Sequence, residues 1–225
     1  MKGLGVFIVL ILIVAGLLLL RKPSEAPVIQ DENSSEEQME TGENMTANVS
    51  GSFSFDTSAS SANWTGSKKI IKEWIDKGKI DVKSGNVVME NGNITGGEVV
   101  FDMTSITAVS TGMGDGQDRL STHLKSDDFF AVETNPEAKF MVKSAEKTGD
   151  NTFNLIGDLT IKGITNETVI PVVVSEADEG VQISGSATID RSAYEVKFGS
   201  DKFFENLGDN VINDEFMLDF VVLAK

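Results

Sequence analysis

The chain has 225 residues, 40% of them hydrophobic, and a formal net charge of −16. A chain this acidic lacks the excess of Lys and Arg that neutralises phosphates, which argues against a nucleic-acid partner. It has no cysteine, which excludes disulfides, thiolate catalysis, an acylated-cysteine anchor and cysteine-held zinc or iron–sulfur centres.

The first element is the apolar run LGVFIVLILIVAGLLLL, Leu4 to Leu20. As a helix it is about 25 Å long, close to the ~30 Å hydrocarbon core of a bilayer. Lys2 precedes it and Arg21 and Lys22 follow. No small-residue A-x-A cleavage site comes after it, so an uncleaved signal anchor over residues 1–22 is expected rather than a removed signal peptide. The flanking charges nearly balance, so they leave its orientation open. Residues 23–50 are polar and acidic and read as a disordered, self-repelling linker.

A folded domain is expected over 51–225, and its pattern has a period of two. In GEVVFDM, Val99, Phe101 and Met103 alternate with Glu98 and Asp102. The same alternation sets Phe140 and Val142 apart from Lys139 and Lys143, and Phe153, Leu155, Leu159 and Ile161 apart from Asn154, Asp158 and Thr160. It recurs at Val181, Ile183, Ala187 and Ile189, and at Phe216, Leu218, Phe220 and Val222. Such runs are antiparallel strands with one wet and one apolar face. Turn signals ENGN, KTGDN and EADEG separate them.

About eight strands are predicted, over 52–65, 79–90, 93–103, 137–147, 151–162, 165–176, 179–189 and 211–224. Long antiparallel strands remove their exposed edges by closing into a barrel, and eight strands enclose either a packed core or one small ligand. Two insertions interrupt the meander: 105–135, and RSAYEVKFGSDKFFENLGDN before the last strand. Each carries a Phe-Phe pair and is expected to form short helices and loops over the barrel ends.

The blocks LSTHLKSDDFFAVETNPEAKF, GDLTIKGIT, IDRSAYEVKFGS and NLGDNVINDEFMLDFVVLAK, in this order, resemble the YceI-like family across residues 51–225. The resemblance implies a lipocalin-like, eight-stranded antiparallel barrel outside the cytoplasm. It also implies an amphiphile with an isoprenoid tail held in that barrel, and no enzymatic activity. The expected fold is therefore all-β: a lipocalin-like barrel with short helical insertions, preceded by a transmembrane helix. One departure stands out. Where relatives carry a Gly-His pair after the Trp-Thr-Gly near Trp64, this chain has KKIIKEWIDKGKIDV, with Asp76 near the histidine position. That segment, with Ile71 and Trp74, reads as a lid or an altered rim.

The candidate chemistry is sparse. His123 is the only histidine; a capped loop histidine bonded to backbone or to Asp127 is the bland reading, and a headgroup contact the sharper one. No G-x-S-x-G elbow is present, and a lone His makes a poor metal site without cysteine. Asp127 and Asp128 follow Ser126, which reads as an N-cap with acidic residues in the first turn. GMGDGQD, residues 112–118, lacks the Walker and EF-hand patterns and reads as a mobile loop. Arg191 suits either a structural ion pair or a forked bond to a polar headgroup. Sequons at Asn33, Asn44, Asn48, Asn63, Asn93 and Asn166 hint at a surface open to glycosylation.

The lumen candidates are Val99, Phe101, Phe140, Val142, Phe153, Leu155, Ile183, Phe216, Leu218 and Phe220. The mouth or headgroup candidates are His123, Phe129, Phe130, Arg191, Phe203 and Phe204. The expected function is a membrane-tethered, extracytoplasmic binding protein for an isoprenoid or other long-chain amphiphile, periplasmic or at the cell surface. No resident cofactor, metal or catalytic residue is expected, and a homodimer stays open. The competing reading is a solid-core structural or adhesive surface domain with a protein partner.

Overall fold

The computed structural model describes residues 49–112 and 114–225. The expected anchor at 1–22 and nearly all of the expected linker lie outside the described residues, as does Met113. Among the described residues, eight strands form a closed antiparallel barrel in simple sequence order. They are β1 (Gly51–Ser67), β2 (Ile75–Glu90), β3 (Asn93–Ser110), β4 (Glu137–Lys147), β5 (Thr152–Ile161), β6 (Ile164–Glu176), β7 (Val181–Asp190) and β8 (Glu215–Ala224). β8 pairs back onto β1, with Trp64 opposite Leu218 and Phe55 opposite Ala224. Closure leaves no strand as a whole-length free edge, which is why period-two strands of this length settle as a barrel.

Three sequence boundaries are corrected. β3 continues to Ser110, so the first insertion begins after it and not at residue 105. Ile106 and Ala108 stay buried there, on the opposite phase from Phe101 and Met103, because the register to β2 slips between Asp102 and Thr107. β2 begins at Ile75 and β8 at Glu215. The KKIIKEW segment is an irregular rim loop, not a helical lid. Lys68 Nζ sits 4.2 Å above the Trp74 ring, and Trp74 lies over Gly112.

The barrel has two unlike ends. One, the hairpin end, carries the turns at 91–92, 148–151 and 177–180. In the first of these, Asn91 and Gly92 both take positive φ, at 48° and 72°, as a tight hairpin turn of matching twist requires. Val49 O accepts from Gly92 N–H at this end. The other, the loop end, carries the rim loop and both insertions. The sequence spread the insertions over the barrel ends; the structure gathers them on one. The first holds α1 (Gln117–Lys125), laid against β3, where Ser121 Oγ accepts from the Ala108 N–H at 2.9 Å. The second holds two short 3-10 turns, Arg191–Tyr194 and Gly208–Asn210.

Apolar side chains from all eight strands turn inward. The hairpin end is packed shut by Met89, Phe153, Val174, Val181 and Ala224, each 2% exposed or less. Higher up, the wall has glycine notches that seat aromatic rings. A β carbon at Gly78 would stand 2.3 Å from Trp64, its direct partner across β1 and β2. At Gly85 it would meet Phe55 at 2.3 Å, at Gly157 Phe140 at 2.8 Å, and at Gly185 Phe220 at 2.7 Å. The rings thus press against the wall instead of filling the middle.

Any side chain at such a notch must displace a ring or the backbone beside it. Gly185→Ala also brings its β carbon to 2.6 Å from Pro171 O, so its expected cost is about 1–3 kcal/mol. Gly96→Ala, whose β carbon meets nothing within 4 Å, should shift stability by less than about 0.5 kcal/mol. Urea midpoints of the two variants check this contrast.

Candidate functional site

Inside the barrel lie two apolar cavities, of ≈ 130 Å³ toward the loop end and ≈ 70 Å³ below it. Phe101, Leu159, Ile189 and Leu218 border both, forming a waist between an upper and a lower chamber. Each chamber far exceeds the space one water needs, and such apolar voids favour hydrocarbon over water. The upper chamber is walled by Trp64, Ile80, Met103 and Phe216 and roofed by Leu120, Leu124, Phe129 and Phe130. The lower chamber is walled by Phe55, Val99, Phe140, Val142, Leu155, Ile183 and Phe220.

Burial along the strands reports the same void. The inward residues of β5 are all buried, whereas Phe216, Leu218 and Phe220 on β8 face inward yet are only half-buried. A wall residue stays accessible when nothing packs against its inner side.

A family model described as the YceI-like domain matches residues 34–224. The chain belongs to the YceI-like family. A UPF0312 protein of Staphylococcus aureus is 32% identical over 99 residues, covering 41% of this chain. This match spans 55% of that protein, so the chain covers about half the length of the curated relatives it matches. Among solved structures, BcnA of Burkholderia cenocepacia is similar, with a TM-score of 0.60 and 21% identity over 76% of this chain and 99% of that one. A polyisoprenoid-binding domain of Saccharophagus degradans, implicated in plant cell wall breakdown, has a TM-score of 0.58 and 19% identity over 77% and 97% of the two chains. At these identities the two structures speak for the shared fold.

Nine of the ten lumen candidates line the chambers of this YceI-like barrel. The tenth, Phe153, is 2% exposed and belongs to the plug at the hairpin end. The mouth candidates divide. Phe129 and Phe130 are buried and roof the upper chamber. Phe203 and Phe204 sit outside, 41% and 49% exposed, and border neither chamber. The two Phe-Phe pairs therefore do not play equivalent parts.

His123 stands just outside the roof. Its ring meets Phe129 and Phe198 edge-on, at centroid distances of 4.9 and 4.5 Å. Its Nε2 lies 3.1 Å from Asp128 Oδ2, so its partner is Asp128 and not Asp127. Ser126 closes α1 rather than starting a helix: its N–H and Oγ both donate to His123 O. Its carbonyl then accepts from Phe129 and Ala131 N–H, and this tight turn points the two phenylalanines into the barrel. Among the described residues, no group of three His, Cys, Asp or Glu side chains is placed to hold a metal ion.

Arg191 borders the upper chamber, but its side chain is 5% exposed and its donors are turned to the protein. Nη1 donates to Val196 O and Phe198 O at 2.8 Å, Nε to Asn213 O at 3.1 Å and Nη2 to Ile212 O at 3.3 Å. Asp214 Oδ1 lies 3.4 Å away. Burial pulls the guanidinium below its ordinary pKa, against the pull of Asp214 and Asp190 upward. The residue staples the second insertion onto the rim. Beside it, partial burial pushes the Asp190 carboxyl up, but hydrogen bonds from Lys202 and Ser192 outweigh this and hold it low.

The sequence offered no signal for the carbonyl cage, because its acceptors are backbone atoms. It did hold the glycines of the ring seats, at 78, 85, 157 and 185. These were legible only once each was set beside an aromatic on its neighbouring strand.

Arg191→Met leaves four carbonyls without their donor and Asp214 with only Lys202, 3.5 Å away, as its cation, and breaking a buried pair costs about 3–5 kcal/mol. The expected result is a lower melting temperature, with limited proteolysis cutting first within 197–210. Acid acts on the neighbouring clasp. Asp190 has a folded-state pKa below its ordinary 3.8, so its contribution is complete above that value and is lost as pH falls through the folded value. Wild type should lose stability below about pH 4, and Asp190→Asn should flatten that slope in urea titrations.

Proposed function

We propose that this protein is a binding protein that holds the tail of an isoprenoid-type lipid, polyprenyl or quinone-like, in the barrel lumen. The observation that carries this reading is the pair of apolar chambers joined at a waist, kept open although aromatic rings line the wall. Membership of the YceI-like family supports it, as does the shared fold with a structure described as a polyisoprenoid-binding domain. Each buried CH₂ stabilises the complex by about 0.8 kcal/mol, so a long chain binds well with few polar contacts. The apolar run at Leu4–Leu20 would tether the barrel at an extracytoplasmic membrane face, next to the store of its ligand. No chemical step is assigned to the site.

Native mass spectrometry of the full chain from membrane-containing cells, followed by lipid extraction, tests the reading. The expected result is a bound species built of five-carbon units. A bare mass, with no uptake of added quinones or polyprenols, would instead support a solid-core surface domain. Leu218→Trp, placed at the waist, should abolish the bound mass while the far-ultraviolet dichroism of the barrel stays unchanged.

A further inference from the structure

The seams of the barrel are unequal. β5 pairs with β6, and β7 with β8, along ten residues each. β3 and β4 pair only over Gly97–Asp102 and Glu137–Val142. β6 and β7 pair only over Val172–Glu176 and Val181–Gly185.

Where these short seams open toward the loop end, other parts of the chain fill them. α1 lies on the upper part of β3, with Leu124 buried. The 3-10 turn at Arg191–Tyr194 fills the space beside β6. There Asn166 Nδ2 donates to Ala193 O at 3.0 Å, and the buried Tyr194 places its hydroxyl 3.4 Å from Thr168 Oγ1.

The opposite part of the β3–β4 seam is different. Below Gly97 and Val142, residues 93–96 pair with β2 alone and residues 143–147 with β5 alone. Among the described residues, no hydrogen bond bridges this gap. Small residues flank its middle, Gly96 and Gly97 on β3 and Ser144 and Ala145 on β4, next to the larger Ile94, Thr95, Lys143, Glu146 and Lys147. A β carbon at Gly96 would meet no atom within 4 Å. The lower chamber reaches the gap, because Gly96, Gly97 and Val142 are part of its wall. Immediately beneath it, Met89, Phe153 and Val174 seal the hairpin end.

We propose that the gap between β3 and β4 is a lateral portal, through which the far part of a long isoprenoid chain leaves the lumen. This rests on the isoprenoid reading above and adds chain-length selectivity to it. A ten-residue strand runs about 33 Å, and less along the axis of a barrel whose strands tilt by roughly 40°. A longer chain must fold back or leave. The two chambers meet at one waist, bordered by Phe101, Leu159, Ile189 and Leu218, which a returning chain would have to cross a second time. The bottom is sealed, so the open seam is where it emerges. Met141, 47% exposed on the outer face of β4, offers an emerging chain its first apolar contact.

The test compares farnesol, short enough to stay inside, with undecaprenol, which is too long. Binding of each to the full chain in detergent is measured for wild type and for Gly96→Trp. Gly96 lies outside the positive-φ region and has open space at its β carbon, so a side chain starts there without backbone strain. Ala145→Trp closes the gap from the opposite edge and serves as the second variant. The portal predicts that both variants weaken undecaprenol at least about 10-fold more than farnesol. Equal effects on the two alcohols in both variants, or none on either, would overturn the portal while leaving the isoprenoid reading intact. Wild type that binds neither alcohol would overturn the isoprenoid reading and the portal with it.

Discussion

The hollow interior depends on one kind of contact: an aromatic ring laid over a glycine of the neighbouring strand. Trp64, Phe55, Phe140 and Phe220 each occupy a place where a β carbon would come within 3 Å of the ring. An eight-stranded barrel is at the size where side chains alone can fill it. With 13 phenylalanines in the sequence, a solid core is the natural outcome unless rings are held against the wall. The glycine notches provide that restraint, and the two chambers are what remains. The waist is formed by the inward residues Phe101, Leu159, Ile189 and Leu218, which border both chambers.

A second constraint acts at the loop end. The rim loop and both insertions must be held in place without strands of their own, and polar groups do that work. Arg191 gathers backbone carbonyls that no ladder satisfies, as buried acceptors require. Ser126 folds the first insertion so that Phe129 and Phe130 turn inward. Asp76 accepts from Gly112 N–H and from Trp74 Nε1, tying the rim loop to the end of β3. The polar residues of the opening are thus taken up with supporting an apolar roof, which fits a site that recognises hydrocarbon more than charge.

The barrel itself was legible in the sequence, because period-two alternation is a direct imprint of a two-faced wall. The alternation set ten residues facing inward; nine of them border the chambers and the tenth, Phe153, fills the plug at the hairpin end, since a plug residue and a wall residue look the same along one strand. It also cut β3 short, because a bulge between Asp102 and Thr107 shifts the inward positions from odd to even, to Ile106 and Ala108, among Ser and Thr residues that resembled a loop. Both insertions link an odd-numbered strand to the next even one, so counting strands along an up-and-down barrel is enough to place them at one end. What local pattern does not encode is which Phe-Phe pair the loop turns inward, so Phe203 and Phe204 could not be told from Phe129 and Phe130.

The seam that closes the barrel joins residues 55–65 to residues 217–224. The first strand therefore waits for the last, and the apolar inner wall has no lasting shield until nearly the whole chain is present. Contacts this distant in sequence form slowly, because loop closure precedes any gain from packing. A chain emerging from a translocation pore or a ribosome would carry its greasy face exposed throughout that delay. The strong acidity of the whole polypeptide then has a use before the fold exists: like-charged, half-made chains repel one another while their own ends find each other.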